Sequence, residues 1–180
     1  DIISRLALEK GNYFVVSAHR DENINSETNF FNLVESLNAV AEKYEMPVIE
    51  NTHPRTRKKN EEKGVTFHPL VQTLKPLGFN DYVKLQMDSK AVLSDSGTIS
   101  EESSILGFPA ITIRQAHERP EGMDEGTLIM SGLKSEDIIN SIDIVTEQSL
   151  EKRMNIVKDY DTLNVSKKVV RIIVSYIDYI

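Results

Sequence analysis

The sequence predicts an α/β fold in which a doubly wound, Rossmann-like parallel sheet carries helices on both faces. Three runs lack the polar alternation of a half-exposed strand: residues 13–16 (YFVV), 91–93 (AVL) and 110–113 (AITI). Strands of this kind are buried on both faces, as in parallel sheets. Segments with helical spacing separate these runs, and the alternation favours βα units with right-handed crossovers.

Short segments rich in β-branched or aromatic residues are predicted strands. Pro47 opens the second of them, and the third ends before the pair Pro76-Leu77. The predicted strands are, in order, residues 13–17, 48–51, 71–74, 91–93, 110–113 and 127–130.

The segments between the strands show apolar residues spaced by three and four positions, as on one face of a helix. The clearest runs from Phe30 to Tyr44 after Ser26, whose hydroxyl can cap it, and Gly64 and Gly107 stand where helices would stop. The predicted helices are, in order, residues 2–10, 27–44, 55–63, 80–87, 99–106, 138–145 and 165–180.

The last predicted helix, residues 165–180, is apolar on more than one side, which predicts burial on several sides. The chain starts with Asp1 rather than Met, inside a predicted helix. We therefore expect a fragment of a longer protein, whose missing domain covers the extra apolar face.

Composition excludes several classes of function. The 180 residues suit one domain and carry a net charge of −7, which disfavours nonspecific nucleic-acid binding. The absence of cysteine excludes disulfides, thiol nucleophiles and cysteine metal sites. No apolar run approaches the roughly 20 residues that span a bilayer. We expect a cytoplasmic protein with no nucleic-acid or membrane partner.

Three polar clusters follow predicted strands: residues 18–23 (first cluster), 94–98 (second cluster) and 114–122 (third cluster). Ligands of doubly wound sheets bind beyond the carboxyl ends of the strands. Because all three clusters lie at that edge, the sequence predicts a ligand site there.

The second cluster joins a buried strand to a helix, so unpaired N–H groups and the positive end of the helix dipole point at the loop. Such a site suits phosphate. Gly97 would let a ligand approach the backbone, Ser96 adds a hydroxyl, and Glu101 and Glu102 follow one turn later. The alternative is ordinary helix capping, which favours the same residue types.

The first and third clusters also each have one functional and one purely structural interpretation. His19 could exchange a proton near neutral pH and Arg20 could pair with phosphate; alternatively, residues 18–23 form a salt-bridge network. The third cluster mixes His117, Glu118 and Arg119 in a long loop, which is either functional or merely solvated.

Other motifs give weaker signals. The basic run at residues 55–59 is best explained as a solvated face, with anion binding as the alternative. The four histidines show no metal-binding spacing. The chain has no Walker A motif, no G-x-G-x-x-G and no G-x-S-x-G, so the corresponding nucleotide-hydrolase, dehydrogenase and hydrolase signatures are absent.

Taken together, the clusters resemble the non-hydrolysing UDP-N-acetylglucosamine 2-epimerases. The matching segments are SAHRDENI (17–24), PL-x-x-x-DY (76–82), LSDSGTISEESSILGFPAITIR (93–114) and HERPEG (117–122), followed by Gly126-Thr127. Their combination covers nearly the whole chain and is far more specific than any one motif. The nearest branch is the bacterial capsule and O-antigen branch, which makes UDP-N-acetyl-L-fucosamine by inverting C2 of a talosamine precursor.

The chain departs from the commoner family pattern at two places. Thr98 and Ser100 replace the second glycine and the glutamine of DSGG-x-QEE. Residues 51–54 read NTHP where the commoner pattern has H-x-NP. Both departures favour the deoxysugar branch over strict UDP-N-acetylglucosamine specificity.

The resemblance implies two Rossmann-like domains in the glycosyltransferase-B arrangement. Residues 1–180 would be the C-terminal, UDP-binding domain, and the absent N-terminal domain would supply the catalytic carboxylates. The resemblance further implies a homodimer at full length and no cofactor or metal. The 180-residue chain alone is then expected to be inactive.

The resemblance also implies roles for single residues. Ser96, Gly97 and Thr98 would bind the UDP diphosphate, Glu102 the ribose hydroxyls, and Arg114 would lie near the diphosphate. The spacing agrees, because Glu102 follows Gly97 by five residues, about 7.5 Å along a helix.

The resemblance to the family also covers the first cluster. His19 corresponds to the family's essential histidine, and Arg20 and Glu22 correspond to a second, regulatory UDP-sugar site of some members. The implied reaction removes the C2 proton and expels UDP to leave a glycal; UDP then adds back as C2 is reprotonated on the other face.

Two other functions fit the predicted fold. One is half of a glycosyltransferase-B sugar transferase, which would share the ribose-binding glutamate but would not need the first cluster. The other is a nucleotide-sugar sensor without catalysis. Exchange of the C2 proton with solvent distinguishes an epimerase from both.

Overall fold

The computed structural model describes residues 1–116, 118–151 and 156–179. Within them, the strands are β1 (Phe14–Ser17), β2 (Val48–Asn51), β3 (Val71–Leu74), β4 (Ala91–Ser94), β5 (Ala110–Thr112) and β6 (Leu128–Met130). All pair in parallel in one sheet of order β3-β2-β1-β4-β5-β6. The predicted doubly wound, Rossmann-like fold is therefore confirmed.

The helices alternate with these strands along the chain. They are α1 (Ile2–Arg5), α2 (Asp21–Ile24), α3 (Glu27–Tyr44), α4 (Pro54–Glu62), α5 (Phe79–Asp88), α6 (Ile99–Leu106), α7 (Glu121–Asp124), α8 (Ser135–Glu151) and α9 (Val165–Tyr176), with a 3₁₀ turn over Ile177–Tyr179. Two of them, α2 and α7, are single turns inside segments predicted to be loops, and α1 is shorter than predicted. Elements of one turn carry too few apolar positions to show a helical period.

The sheet has a hydrophobic core on each face, which explains strands without polar alternation. Phe14 and Val16 of β1 pack into one core, while Tyr13 and Val15 pack into the other. Successive side chains of a strand point to opposite faces, so both faces must be apolar when both are covered. Helices α3 and α8 contribute to the first core; α1, α5 and α6 contribute to the second.

Helix ends follow the predicted local chemistry. The Ser26 hydroxyl accepts a hydrogen bond from the Asn29 N–H at 3.3 Å and caps α3. Gly107 ends α6 with φ of 72°, a left-handed conformation that costs glycine no Cβ clash.

Helix α9 differs from its prediction. Its described residues are all exposed, including Val170, Ile172 and Val174, whereas its apolar composition predicted burial on several sides. Residue 180, the end of the predicted helix, lies outside the described residues. The apolar surface of α9 therefore has no cover within the described part of this chain. Among the same residues, no helix is both long and apolar enough to cross a membrane.

Glu50 is a charged side chain within the sheet. It lies in β2, is 1% exposed, and accepts a hydrogen bond from the Thr52 hydroxyl at 3.0 Å. Burial raises the pKa of Glu50 from 4.5 to about 7, and Thr52 and Arg57 offset only part of this effect. The folded state therefore binds a proton that the unfolded chain releases at lower pH.

We expect Glu50 to make the free energy of unfolding fall with rising pH. Because the folded pKa is raised, its contribution is complete below pH 4.5 and is lost as the pH rises through about 7. The loss amounts to roughly 3 kcal/mol. Glu50→Gln, measured by denaturant unfolding from pH 5 to 8, should become progressively more stable than the wild type.

The matched control is Glu42→Gln, which neutralises an exposed glutamate on α3. This variant should keep the pH dependence of the wild type. A Glu50→Gln variant whose stability difference from the wild type stays constant between pH 5 and 8 would contradict the raised pKa.

Candidate functional site

The three polar clusters converge at the carboxyl edge of the sheet. Parallel pairing aligns Ser17 of β1 with Ser94 of β4, and Ser94 with Thr112 of β5. The first, second and third clusters follow these three strands in turn. The sheet order reverses between β1 and β4, and ligands of such sheets bind at the carboxyl side of this reversal.

The second cluster fixes the orientation of Glu102. The Thr98 hydroxyl donates to Glu102 Oε1 at 2.6 Å, and Gln86 Nε2 donates to Glu102 Oε2 at 2.7 Å. The Ser96 and Thr98 hydroxyl oxygens are 3.0 Å apart. Two hydroxyls and a carboxylate are thus held together over the first turn of α6.

The first turn of α6 can interact with an anion. Thr98 occupies the N-cap position, and its own side chain makes no capping hydrogen bond. The orphan N–H groups and the helix dipole favour negative charge at this end. The length and placement of α6 match the strand-turn-helix that the sequence predicted.

Side chains from the third cluster lie over Gly97. A Cβ at this position would come within 2.9 Å of Glu118 Oε1 and 2.7 Å of Arg119 Nη1. Arg119 in turn pairs with Glu101 of α6, with Nε 3.2 Å from Oε1. The Glu118 and Arg119 atoms above Gly97 end flexible side chains, so an incoming ligand can displace them. A side chain at residue 97 would itself occupy this space above the loop.

Arg20 and Arg114 both pair with the Glu118 carboxylate. Arg20 Nη2 is 2.6 Å from Glu118 Oε2, and Arg114 Nη1 donates to the same oxygen. The hydrogen bond from Arg114, followed by the charges of Arg20, Arg114 and Arg119, lowers the pKa of Glu118. Arg114 is 9% exposed at its side chain and also pairs with Glu22, Nε to Oε1 at 3.3 Å.

This network bears on two sequence-based predictions. Arg20 and Glu22, which resemblance assigns to a regulatory site, share one ion-pair network with Arg114, which resemblance assigns to the substrate site. The salt-bridge interpretation of residues 18–23 is also correct as a description of their contacts. Residues assigned by resemblance to two different sites are therefore in contact through ion pairs in this chain.

Asp95 joins the first and second clusters, a role that its place in the second cluster did not predict. It is fully buried, and its Oδ2 accepts from the N–H groups of His19 (2.9 Å) and Arg20 (2.8 Å) and from Asn23 Nδ2 (3.0 Å). His19 Nδ1 is 3.7 Å from the other oxygen, Oδ1. The signal available in the sequence was an aspartate two residues beyond the all-apolar run 91–93.

Tyr82 lies close to both site carboxyl groups, Glu102 and Asp95. Burial, together with the charges of these two groups, raises the pKa of Tyr82 to about 12, and a hydrogen bond with Ser17 opposes the shift. The tyrosine therefore stays protonated at neutral pH. It belongs to the PL-x-x-x-DY segment, for which the sequence interpretation gave no role.

The remaining predicted features contribute less. His117 lies outside the described residues. In the basic run, Arg55 pairs with Asp21 at 2.7 Å and Lys58 with Glu62 at 3.6 Å, as expected of a solvated face. A surface cleft there is lined by Pro54, Arg57, Lys58, Glu61, Lys75 and Pro76. Among the described residues, no group of three histidine, aspartate or glutamate side chains could hold a metal ion.

The chain matches the family model for UDP-N-acetylglucosamine 2-epimerase over residues 1–174. A UDP-N-acetylglucosamine 2-epimerase of Methanococcus maripaludis is 34% identical over 135 residues, which are 73% of this chain and 37% of that protein. The chain thus spans well under two thirds of the length of this curated relative.

Two solved structures superpose on nearly the whole chain. The UDP-N-acetylglucosamine 2-epimerase from Rickettsia bellii has a TM-score of 0.84 at 42% identity, over 99% of this chain and 48% of that one. The Methanocaldococcus jannaschii UDP-GlcNAc 2-epimerase, in complex with UDP-GlcNAc and UDP, has a TM-score of 0.82 at 27% identity, over 97% of this chain and 48% of that one.

Proposed function

Since this chain belongs to the UDP-N-acetylglucosamine 2-epimerase family, we propose that it is the C-terminal, UDP-binding half of a nucleotide-sugar 2-epimerase. The observation that carries the proposal is the convergence of Ser96, Thr98 and Glu102 with Arg20 and Arg114 at one edge of the sheet. Support comes from the M. jannaschii relative, whose structure contains UDP-GlcNAc and UDP.

In this proposal the diphosphate binds over Gly97, at the first turn of α6. The Ser96 and Thr98 hydroxyls and the backbone N–H groups donate hydrogen bonds, and Arg20 and Arg114 supply positive charge. The Glu118 carboxylate, held by both arginines, lies at this position and supports its suitability for an anion. Bound UDP would displace Glu118 and take over its two arginine partners.

Glu102 binds the ribose in this proposal. Thr98 and Gln86 each hold one of its oxygens, so the carboxylate is oriented before a ligand arrives. An ionised carboxylate has about four acceptor positions, which leaves capacity for both hydroxyls of a diol. Its position one turn into α6 places it beside the proposed diphosphate site.

The proposed reaction inverts C2 of a UDP-2-acetamido sugar. A base takes the C2 proton while the C1–O bond to UDP breaks, and a C1–C2 double bond forms. A UDP oxygen then attacks C1 as C2 is reprotonated on the other face, so the product is an isomer of the substrate. The positive charge around the diphosphate stabilises the leaving UDP, and His19 takes part in catalysis at this site.

The acid and base at C2 are proposed to come from an N-terminal domain that this chain lacks. Two observations support this domain: the chain spans 48% of both solved relatives, and the exposed apolar side chains of α9 need cover. We include a homodimer of the full-length protein in the proposal. As an isolated half, the chain is expected to bind UDP without turning over UDP-sugars.

The substrate pair is proposed to be either UDP-GlcNAc and UDP-ManNAc or the 6-deoxy-L-talosamine and L-fucosamine pair. Thr98 and Ser100, which depart from the commoner DSGG-x-QEE pattern, favour the deoxysugars. The setting would be cytoplasmic synthesis of capsular or surface polysaccharide precursors. A glycosyltransferase-B half-domain remains the second candidate, because the fold and Glu102 would serve it equally well.

The ribose assignment predicts a loss of UDP affinity in Glu102→Ala. A hydrogen bond to a charged group contributes about 1.5–3 kcal/mol, so Kd for UDP should rise about tenfold or more. Calorimetric titration of UDP into this chain measures the Kd. The variant should also bind UDP and 2′,3′-dideoxy-UDP with similar affinity, whereas the wild type should prefer UDP.

The control is Glu101→Ala, which removes the neighbouring carboxylate that pairs with Arg119. Its affinity for UDP should stay within about twofold of the wild type, because the Glu101 carboxylate pairs with Arg119 and has no part in the proposed ribose contact. Equal losses in both variants, or unchanged affinity in Glu102→Ala, would overturn the ribose assignment.

The reaction itself is tested in deuterated water. The full-length protein should interconvert two UDP-2-acetamido sugars and place solvent deuterium at C2, detected by NMR, whereas the 180-residue chain alone should do neither. A full-length protein that consumes UDP-sugar without deuterium at C2 would support a transferase instead. Epimerisation by the isolated chain would contradict the proposed division of labour.

A further inference from the structure

Asp95 is deeply buried, and its two carboxylate oxygens differ in their hydrogen-bond partners. It is 0% exposed at the end of β4. Oδ2 accepts three hydrogen bonds from the first cluster, two from the N–H groups of His19 and Arg20 and one from Asn23. Oδ1 is equally buried and has no hydrogen-bond partner among the described residues. A buried oxygen without a partner is costly, so its surroundings require an explanation.

Oδ1 faces the His19 imidazole. His19 Nδ1 is 3.7 Å away, an ion-pair distance slightly longer than a hydrogen bond. If Nδ1 lacked a proton, its lone pair would face the lone pairs of Oδ1 across this gap. A proton on Nδ1 makes the same contact attractive, and a movement of a few tenths of an ångström closes it to a hydrogen bond.

The other described histidines have the opposite arrangement. His53 Nδ1 accepts from the Arg55 N–H at 3.3 Å, and His68 Nδ1 accepts from the Leu70 N–H at 3.2 Å. When neutral, both rings must therefore carry their proton on Nε2. His53 and His68 therefore serve as internal references for the tautomer of His19.

We propose that Asp95 is a positioning residue for His19: its Oδ2 fixes the backbone of the first cluster, and its Oδ1 holds the neutral imidazole as the Nδ1–H tautomer. This tautomer leaves the lone pair on Nε2, the ring nitrogen directed away from Asp95. The His19 side chain is 44% exposed, which allows a ligand at the sheet edge to reach the ring.

The consequence for catalysis rests on the proposed function. A neutral His19 with its lone pair on Nε2 can accept a proton or hydrogen bond from a substrate group there. Once protonated, the same atom can donate to an oxygen of departing UDP. Asp95 itself touches neither substrate nor reacting atoms in this scheme; it fixes which nitrogen of His19 does.

The wild-type chain provides the first test. Long-range ¹H–¹⁵N NMR spectra distinguish the two neutral tautomers, and they are recorded about two units above the ordinary histidine pKa of about 6.5. His19, assigned by the loss of its signals in His19→Gln, should be mainly Nδ1–H. His53 and His68 should be mainly Nε2–H. A predominantly Nε2–H His19 would overturn the proposal.

Asp95→Asn gives the second test. The amide oxygen can replace Oδ2 as acceptor for the three donors, which turns the NH₂ group toward His19 and favours the Nε2–H tautomer. The control Asn23→Ala removes one donor to Oδ2 and leaves Oδ1 in place, so its His19 should stay Nδ1–H. Retention of Nδ1–H in a folded Asp95→Asn chain would contradict the proposal; should this variant not fold, the wild-type spectrum still decides.

The NMR result and the proposed function can fail separately. The tautomer is a property of this chain and needs no substrate or turnover. In the full-length enzyme, Asp95→Asn should lower kcat for epimerisation at least tenfold and shift its pH profile, with KM changed less than threefold. An Nδ1–H His19 in a protein without epimerase activity would leave the positioning role intact and overturn only the proposed function.

Discussion

The parallel pairing of β1 with β4 is the contact on which the candidate site depends. It aligns Ser17 with Ser94, so the segments that leave these two strands must lie side by side. The order of the sheet reverses at this pair, which leaves space for a ligand between the outgoing loops. Apolar side chains on both faces of β1 and β4 pack into the two cores and so anchor this pair at the centre of the sheet.

Charge at this edge is arranged in layers. The innermost group is Asp95, buried and bound by three donors of the first cluster. Outside it, Arg20 and Arg114 share the carboxylate of Glu118 above Gly97. The site thus presents two guanidinium groups and the amino end of α6 to an anion, in a chain whose net charge is −7.

Much of the fold, and the placement of the three clusters, could be predicted from sequence, because the signals for them were local or periodic. Uninterrupted apolar runs indicated a sheet buried on both faces, and Gly107 marked the end of α6. The convergence of the three clusters followed from topology alone. The contacts between clusters could not be predicted: no local pattern reports that Glu118 reaches Arg20 or that Glu22 reaches Arg114, since these pairs are joined only by the fold.

Asp95 and α9 show the same limit of local sequence patterns. Asp95 resembled a turn residue because its three donors lie more than 70 positions away in sequence. For α9, composition indicated a need for burial, but composition cannot say which surface supplies it. The roles given to Ser96, Gly97, Thr98, Glu102, His19 and the arginines remain predictions, since they concern a ligand rather than contacts within the chain.

Titration of UDP into the ¹⁵N-labelled chain, followed through its backbone amide signals, tests the central claim most directly. The account predicts that the largest shifts occur at residues 96–98, at residues 19–20 and at Arg114, around the amino end of α6. Largest shifts in the basic run at residues 55–59 and at Lys75, or no shifts at millimolar UDP, would contradict it.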